Sequence, residues 1–245
     1  MPTAEPGTAI VTGAGKRIGA VLAQGLIADG WTVLGHVHHE TDELPDGAIK
    51  VVADLADSKC ADAIFAAASG LPPVRLLVNN AARFAWDGFG AFDAAEFDAH
   101  MAINVRAPVL LAERLAASLA GGEALVVNLL DSKLAAPNPD FLSYTLSKQA
   151  LAGATELAAR ALAVKGIRVN AIAPALILRS PGQSEENFRA MHRANPLGVG
   201  VEPADVLRAL RYLIDSAAVT GQCLVLDGGQ HFLRLDRDVQ FLGKE

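Results

Sequence analysis

Tyr144 and Lys148 stand four residues apart in Phe141–Lys165, a stretch whose apolar spacing predicts a helix, so their side chains share one face. An ammonium beside a phenol favours the phenolate, a pairing that would tune the tyrosine for proton transfer near neutral pH. On an arbitrary helix the same pair is surface decoration. A second candidate lies near the start of the chain, where Thr12-Gly-Ala-Gly-Lys-Arg-Ile-Gly19 follows the apolar run Ala9-Ile10-Val11. Gly13, Gly15 and Gly19 then fall where a strand ends and a helix begins. Missing side chains there let the backbone approach a pyrophosphate, and the helix N-terminus attracts its charge. The G-x-G-x-x-x-G spacing also suits a plain strand-to-helix turn. His36, His38 and His39 cluster at the end of the next strand without an acidic or thiol partner at metal-site spacing. Phosphate contact or ordinary packing is expected of them, and no metal.

A frame for these residues is legible in the alternation of short β-type runs with longer helical patterns. Strands are expected near Thr8–Val11, Thr32–Val37, Ile49–Ala53, Val74–Val78, Ala124–Leu129, Ile167–Ile172 and Cys223–Leu226. Helices are expected near Arg17–Asp29, Ser58–Ser69, Asp93–Ala120, Phe141–Lys165 and Pro203–Ser216. Most of the strands are continuously apolar, as strands of a parallel sheet covered on both faces must be. The fold class is therefore α/β: one doubly wound, Rossmann-type domain spanning residues 1–245. Only Leu176–Gly200 breaks the rhythm, with Pro181, Gly182, Pro196, Gly198 and Gly200 around a short helical piece, Glu185–Arg193. It reads as a lid over a site or as a surface insertion.

Composition narrows the partners. The 245 residues are 51% apolar and 20% charged, enough for one substantial core, and a net charge of −6 argues against a broad nucleic-acid or anionic-membrane footprint. Cys60 and Cys223 are far apart and form neither a disulfide framework nor a zinc motif. No apolar run reaches membrane length and no leader is evident. A cytoplasmic protein acting on small molecules is expected.

Several motifs, taken together and in order, resemble the short-chain dehydrogenase/reductase family. They are the Thr12–Gly19 loop, Asp54-Leu55 after the third strand, Asn79-Asn80-Ala81-Ala82 after the fourth, Asn104, Tyr144-x-x-x-Lys148, Arg168-Val169-Asn170-x-x-x-Pro174, and Gly221-Gln-x-x-x-x-Asp227-Gly-Gly229. The resemblance runs from residue 8 to about 229. It implies a nicotinamide dinucleotide held by Gly13, Lys16, Arg17, Ile18, Gly19, Asp54, Leu55, Asn80, Ala81 and Pro174, with Lys148 also on the nicotinamide ribose. It further implies that Tyr144 is the acid/base, that Asn104 serves a water relay behind the lysine, and that the chain forms a homotetramer on its two long helices.

One departure from the family carries more information than the agreement. Thirteen residues before Tyr144, where most members have a serine that donates to a substrate carbonyl, this chain has Asp131. An ionised aspartate cannot donate, and it opposes negative charge on a carbonyl oxygen. It suits a C=N bond, whose nitrogen must gain a proton from an Asp131–Tyr144 pair. Ser132 replaces the missing serine only if the strand end shifts by one residue. With Lys16-Arg17 and Tyr-x-x-x-Lys, Asp131 resembles the pteridine reductases of the family, particularly the bacterial dihydromonapterin reductases, in which Phe84 would stack on the pterin and Arg17 and Leu176 would help line its site. The expected reaction is reduction of dihydromonapterin, dihydrobiopterin or dihydrofolate. A carbonyl reductase and a non-catalytic nucleotide-binding sensor are the alternatives. NADPH is expected over NADH: the second strand lacks a terminal acid before Glu40, while Lys16, Arg17, His36, His38 and His39 could meet a 2′-phosphate.

Overall fold

The computed structural model describes residues 6–179 and 182–242. Its seven strands are β1 Thr8–Thr12, β2 Thr32–Val37, β3 Ile49–Val52, β4 Val74–Asn79, β5 Ala124–Leu129, β6 Ile167–Pro174 and β7 Cys223–Leu226. All pair in parallel, in the order β3-β2-β1-β4-β5-β6-β7. The chain winds outward in both directions from β1 and β4, and the crevice beyond their carboxyl ends is where such sheets bind ligands. β1 and β5 are wholly buried, so apolar side chains on both of their faces serve two cores; the edge strands β3 and β7 are only half covered.

The helices are α1 Arg17–Ala28, α2 Cys60–Ala67, α3 Ala94–Met101, α4 Ala107–Ser118, α5 Leu142–Leu162, α6 Glu185–His192 and α7 Pro203–Asp215. On one face Leu22 and Leu26 of α1 meet Val206, Leu210 and Leu213 of α7; on the other Ile64, Leu111, Leu115 and Leu162 cover Ile10, Leu77 and Val169. Each such buried side chain contributes about 1.5–3 kcal/mol. Among the described residues no helix is long and apolar enough to cross a membrane.

The expected helix Asp93–Ala120 is in fact three pieces, with a π-helical turn over Ala102–Arg106 between α3 and α4. Pro108 supplies the reason: it has no N–H to bond the carbonyl four residues back, at Asn104, and the ladder shifts register there. Arg168 and Asn170 of the strand-six motif are architectural. The Arg168 guanidinium bonds the carbonyls of Leu213, Ile214 and Val219, and the Asn170 amide holds Val219 and Gln222, tying β6 to the end of α7 and the turn before β7.

Candidate active site

The glycine loop leaves β1 and enters α1 under tight steric control. Gly13 has φ +66°, and a Cβ on Gly19 would lie 2.0 Å from the Gly13 carbonyl oxygen, so both positions require glycine. Thr12 Oγ1 accepts the N–H groups of Asn80 and Ala81, each at 3.0 Å, while the Asn80 amide donates to the carbonyls of Thr12 and Gly13. The loop is thus fastened to the end of β4. Lys16 precedes α1 without a side-chain cap, and the first turn carries no acid, which leaves the helix N-terminus available to an anion. This stretch opens onto a cleft of about 1160 Å³ that continues to Asp131, Tyr144 and Lys148. The bare backbone and uncapped helix fit the pyrophosphate of a dinucleotide.

At the inner end of the cleft, β5 delivers Asp131 and α5 delivers Tyr144. The Tyr144 hydroxyl donates to Asp131 Oδ2 at 2.9 Å, and the other carboxylate oxygen accepts the Lys133 N–H at 2.9 Å. Burial pushes the Asp131 carboxyl above the usual carboxylate range, although both of these bonds pull it down. Burial, and then the charge of Asp131 and the hydrogen bond to it, raise the Tyr144 phenol well above its ordinary value. This reverses the expectation that Lys148 makes the phenol acidic. The Lys148 ammonium lies 5.7 Å from the tyrosine ring centroid and donates to the Leu129 carbonyl at 2.6 Å, while burial lowers its own pKa to about 8. The site therefore holds a neutral phenol against a carboxyl whose proton affinity burial has raised.

Phe84 forms one side of this chamber, edge-on to Tyr144 at 4.8 Å and stacked on Phe141 at 4.4 Å. Asn104 is buried and fully bonded through its side chain. Its amide oxygen accepts the Arg83 N–H at 2.8 Å, and its nitrogen donates to the Arg83 carbonyl and to Ser147 Oγ. The Asn104 side chain thus ties the loop carrying Phe84 to α5. Arg83 turns away to form a two-point ion pair with Glu96.

The remaining residues singled out in the sequence separate by placement. Gly13, Lys16, Arg17, Ile18, Gly19, His36, His38, Leu55, Asn80, Ala81, Pro174 and Leu176 all line the cleft, as does Ser132. Arg17 reaches the carbonyls of Leu178 and Arg179 with its guanidinium. His36 is a buried pin: its Nδ1 accepts the Gly13 N–H at 3.2 Å and its Nε2 lies 3.0 Å from the Ala53 carbonyl, leaving neither nitrogen for a phosphate. His39 packs edge-on to His38, and the Asp54 carboxylate accepts the Ala56 N–H, caps its own turn and stands back from the cleft lining. Pro181 lies outside the described residues.

Sequence reasoning missed two acids. Asp42 lines the cleft beside Lys16 and His38, two residues beyond the acid noted at Glu40, and its carboxylate is turned to accept the His39 N–H. Buried Asp87 caps α5 from a distance, bonding both the N–H and the hydroxyl of Ser143. No local cap motif announces it, because the donor and acceptor are 56 residues apart.

A family model described as enoyl-(acyl carrier protein) reductase matches residues 13–231. The chain is 31% identical to pteridine reductase 1 of Leishmania tarentolae, over 95% of this chain and 98% of that one. It is 30% identical to dihydromonapterin reductase of Shigella boydii (94% and 99% covered) and 31% identical to L-xylulose reductase of Bos taurus (90% and 95%). Among solved structures, FolM alternative dihydrofolate reductase 1 from Brucella suis in complex with NADP superposes with a TM-score of 0.88 at 38% identity, covering 94% of this chain and 97% of that one.

Proposed function

The chain belongs to the short-chain dehydrogenase/reductase family and is an NADPH-dependent oxidoreductase, and on that footing we propose that it reduces a C=N bond of a dihydropterin to the tetrahydro form. The observation that carries the substrate is the hydrogen bond from Tyr144 to Asp131. Bound NADPH supplies the hydride. What this chain contributes is position and a proton. The α1 N-terminus and Gly13–Gly19 would receive the pyrophosphate, Lys16 and His38 would serve a 2′-phosphate, and Lys148 would hold the nicotinamide ribose. Phe84 offers a flat apolar face to the pterin. Tyr144 donates its proton at the substrate nitrogen, and Asp131, which accepts the phenol's hydrogen bond at 2.9 Å, passes a proton back to it as the site is reset. A homotetramer assembled on α4 and α5, which expose Val109, Leu146 and Leu157, belongs to the same proposal.

A second reading, reduction of a carbonyl, is favoured by the resemblance to L-xylulose reductase and by Ser132 in the cleft lining. Asp131→Ser separates the two. On the dihydropterin reading it lowers kcat/KM for dihydropterins by about 10²-fold or more, the lower range for a lost acid/base partner, and raises ketone reduction. Unchanged dihydropterin kinetics would remove Asp131 from the mechanism.

A further inference from the structure

Beyond β7 the chain returns to its own active site. After a 3-10 turn at Gln230–Leu233 it runs along the mouth of the cleft, where Leu235, Asp238 and Val239 line the same cavity as Phe84, Asp131 and Tyr144. The sheet is complete at Leu226, so the contacts that hold this segment serve something other than the sheet.

The anchor is Asp140, just ahead of α5. Its carboxylate accepts the Arg237 guanidinium at 2.8 and 3.0 Å and the Asp238 N–H at 2.8 Å, a two-point charge-assisted clasp. Lys133, two residues after Asp131, donates to the Asp140 carbonyl at 2.5 Å and reaches Asp238 Oδ2 at 3.3 Å, its ammonium 5.5 Å over the Phe141 ring. Phe241 stacks on Phe141, which stacks on Phe84, so one aromatic column joins the tail to the substrate chamber. α6 closes the clasp from outside, with the Asn187 amide donating to the Leu242 carbonyl at 2.6 Å.

Asp238 is the polar group that this arrangement presents to the cleft. One of its oxygens takes Lys133 and the other takes the Gln240 N–H, which leaves each with a further lone pair to offer. Arg237 and Lys133 are paired with Asp140 and Asp238, and Asp236 adds a further acid, so the outer wall is rich in acceptors.

Resting on the dihydropterin reading, we propose that residues 235–241 form the outer wall of the substrate compartment and that Asp238 determines specificity by accepting a hydrogen bond from a hydroxyl on the substituent the pterin ring carries. The test compares kcat/KM for a dihydropterin with a hydroxylated side chain and one with a methyl group, in wild type, Asp238→Ala and Arg237→Gln. Loss of one charge-assisted bond lowers the hydroxylated-to-methyl ratio about tenfold or more in Asp238→Ala, through KM. Arg237→Gln, an exposed change that loosens the wall, moves the ratio the same way, and it carries the test if Asp238→Ala is insoluble. A ratio unchanged in the soluble variants overturns the proposal. If wild type reduces ketones but no dihydropterin, the ring assignment has failed separately. The same ratio, taken between a polyhydroxylated and an unsubstituted ketone, then decides the wall by the same criterion.

Discussion

At the residue scale the proposed chemistry turns on three buried groups whose proton affinities are set by burial and by one another. Tyr144 keeps its proton, Asp131 is shifted toward holding one, and Lys148 is shifted toward losing one. Tyr144→Phe removes the donor and little packing, so turnover should fall by roughly 10²–10⁴-fold with NADPH affinity, measured by fluorescence titration, near wild type. Loss of NADPH binding would contradict the assignment. Lys148 yields a stability prediction. Its folded pKa of about 8 lies below the ordinary 10.5, so the ammonium opposes folding most fully below pH 8. That cost, about 3 kcal/mol, fades as pH rises toward 10.5 and the unfolded chain also loses its proton. Lys148→Met should therefore melt at a higher temperature than wild type near neutrality, with the gap shrinking as pH rises through that window. A destabilised variant at neutral pH would show that the ammonium's bond to Leu129 outweighs its burial. All three residues were singled out from the sequence, but the phenol was expected to be acidified by Lys148; burial of the ring, and then the carboxylate at 2.9 Å, push it the other way.

At the scale of elements, α5 is the part that must be placed accurately, since it carries both Tyr144 and Lys148. Its first turn is entered from Phe141 in the left-handed region and is held by Asp87, whose carboxylate takes the N–H and hydroxyl of Ser143. Asp87→Ala should lower unfolding stability by about 1–3 kcal/mol, the range for a lost cap that leaves a buried donor unpaired, and should reduce kcat by misplacing Tyr144. An unchanged denaturation midpoint would show that α5 is positioned by packing alone. Helices and strands were legible to within two or three residues, because the apolar periodicity that a covered parallel sheet demands is a local signal. The π-turn at Asn104 and the distant cap at Asp87 were not. The first follows from a proline acting on a carbonyl four residues back, and the second joins a loop to the first turn of a helix far away in sequence.

At the scale of the molecule, the crevice at the β1/β4 switch point brings the glycine loop, the Asp131–Tyr144 pair and Phe84 into one cleft. The frame could be read from apolar periodicity, and the glycine-loop and Tyr144–Lys148 parts of the cleft lining from motif order. The tail could not, because residues 235–241 have no periodicity of their own and are held by distant partners such as Asp140, Lys133 and Phe141. The dihydropterin assignment rests on an aspartate suited to nitrogen rather than oxygen. Its decisive assay offers the purified protein NADPH with dihydromonapterin, dihydrobiopterin, dihydrofolate and a set of ketones in parallel, follows the loss of NADPH absorbance, and uses NADH as the cofactor control. The expected result is turnover of a dihydropterin with NADPH, at a kcat/KM well above that for any ketone. Turnover of ketones alone would contradict the assignment.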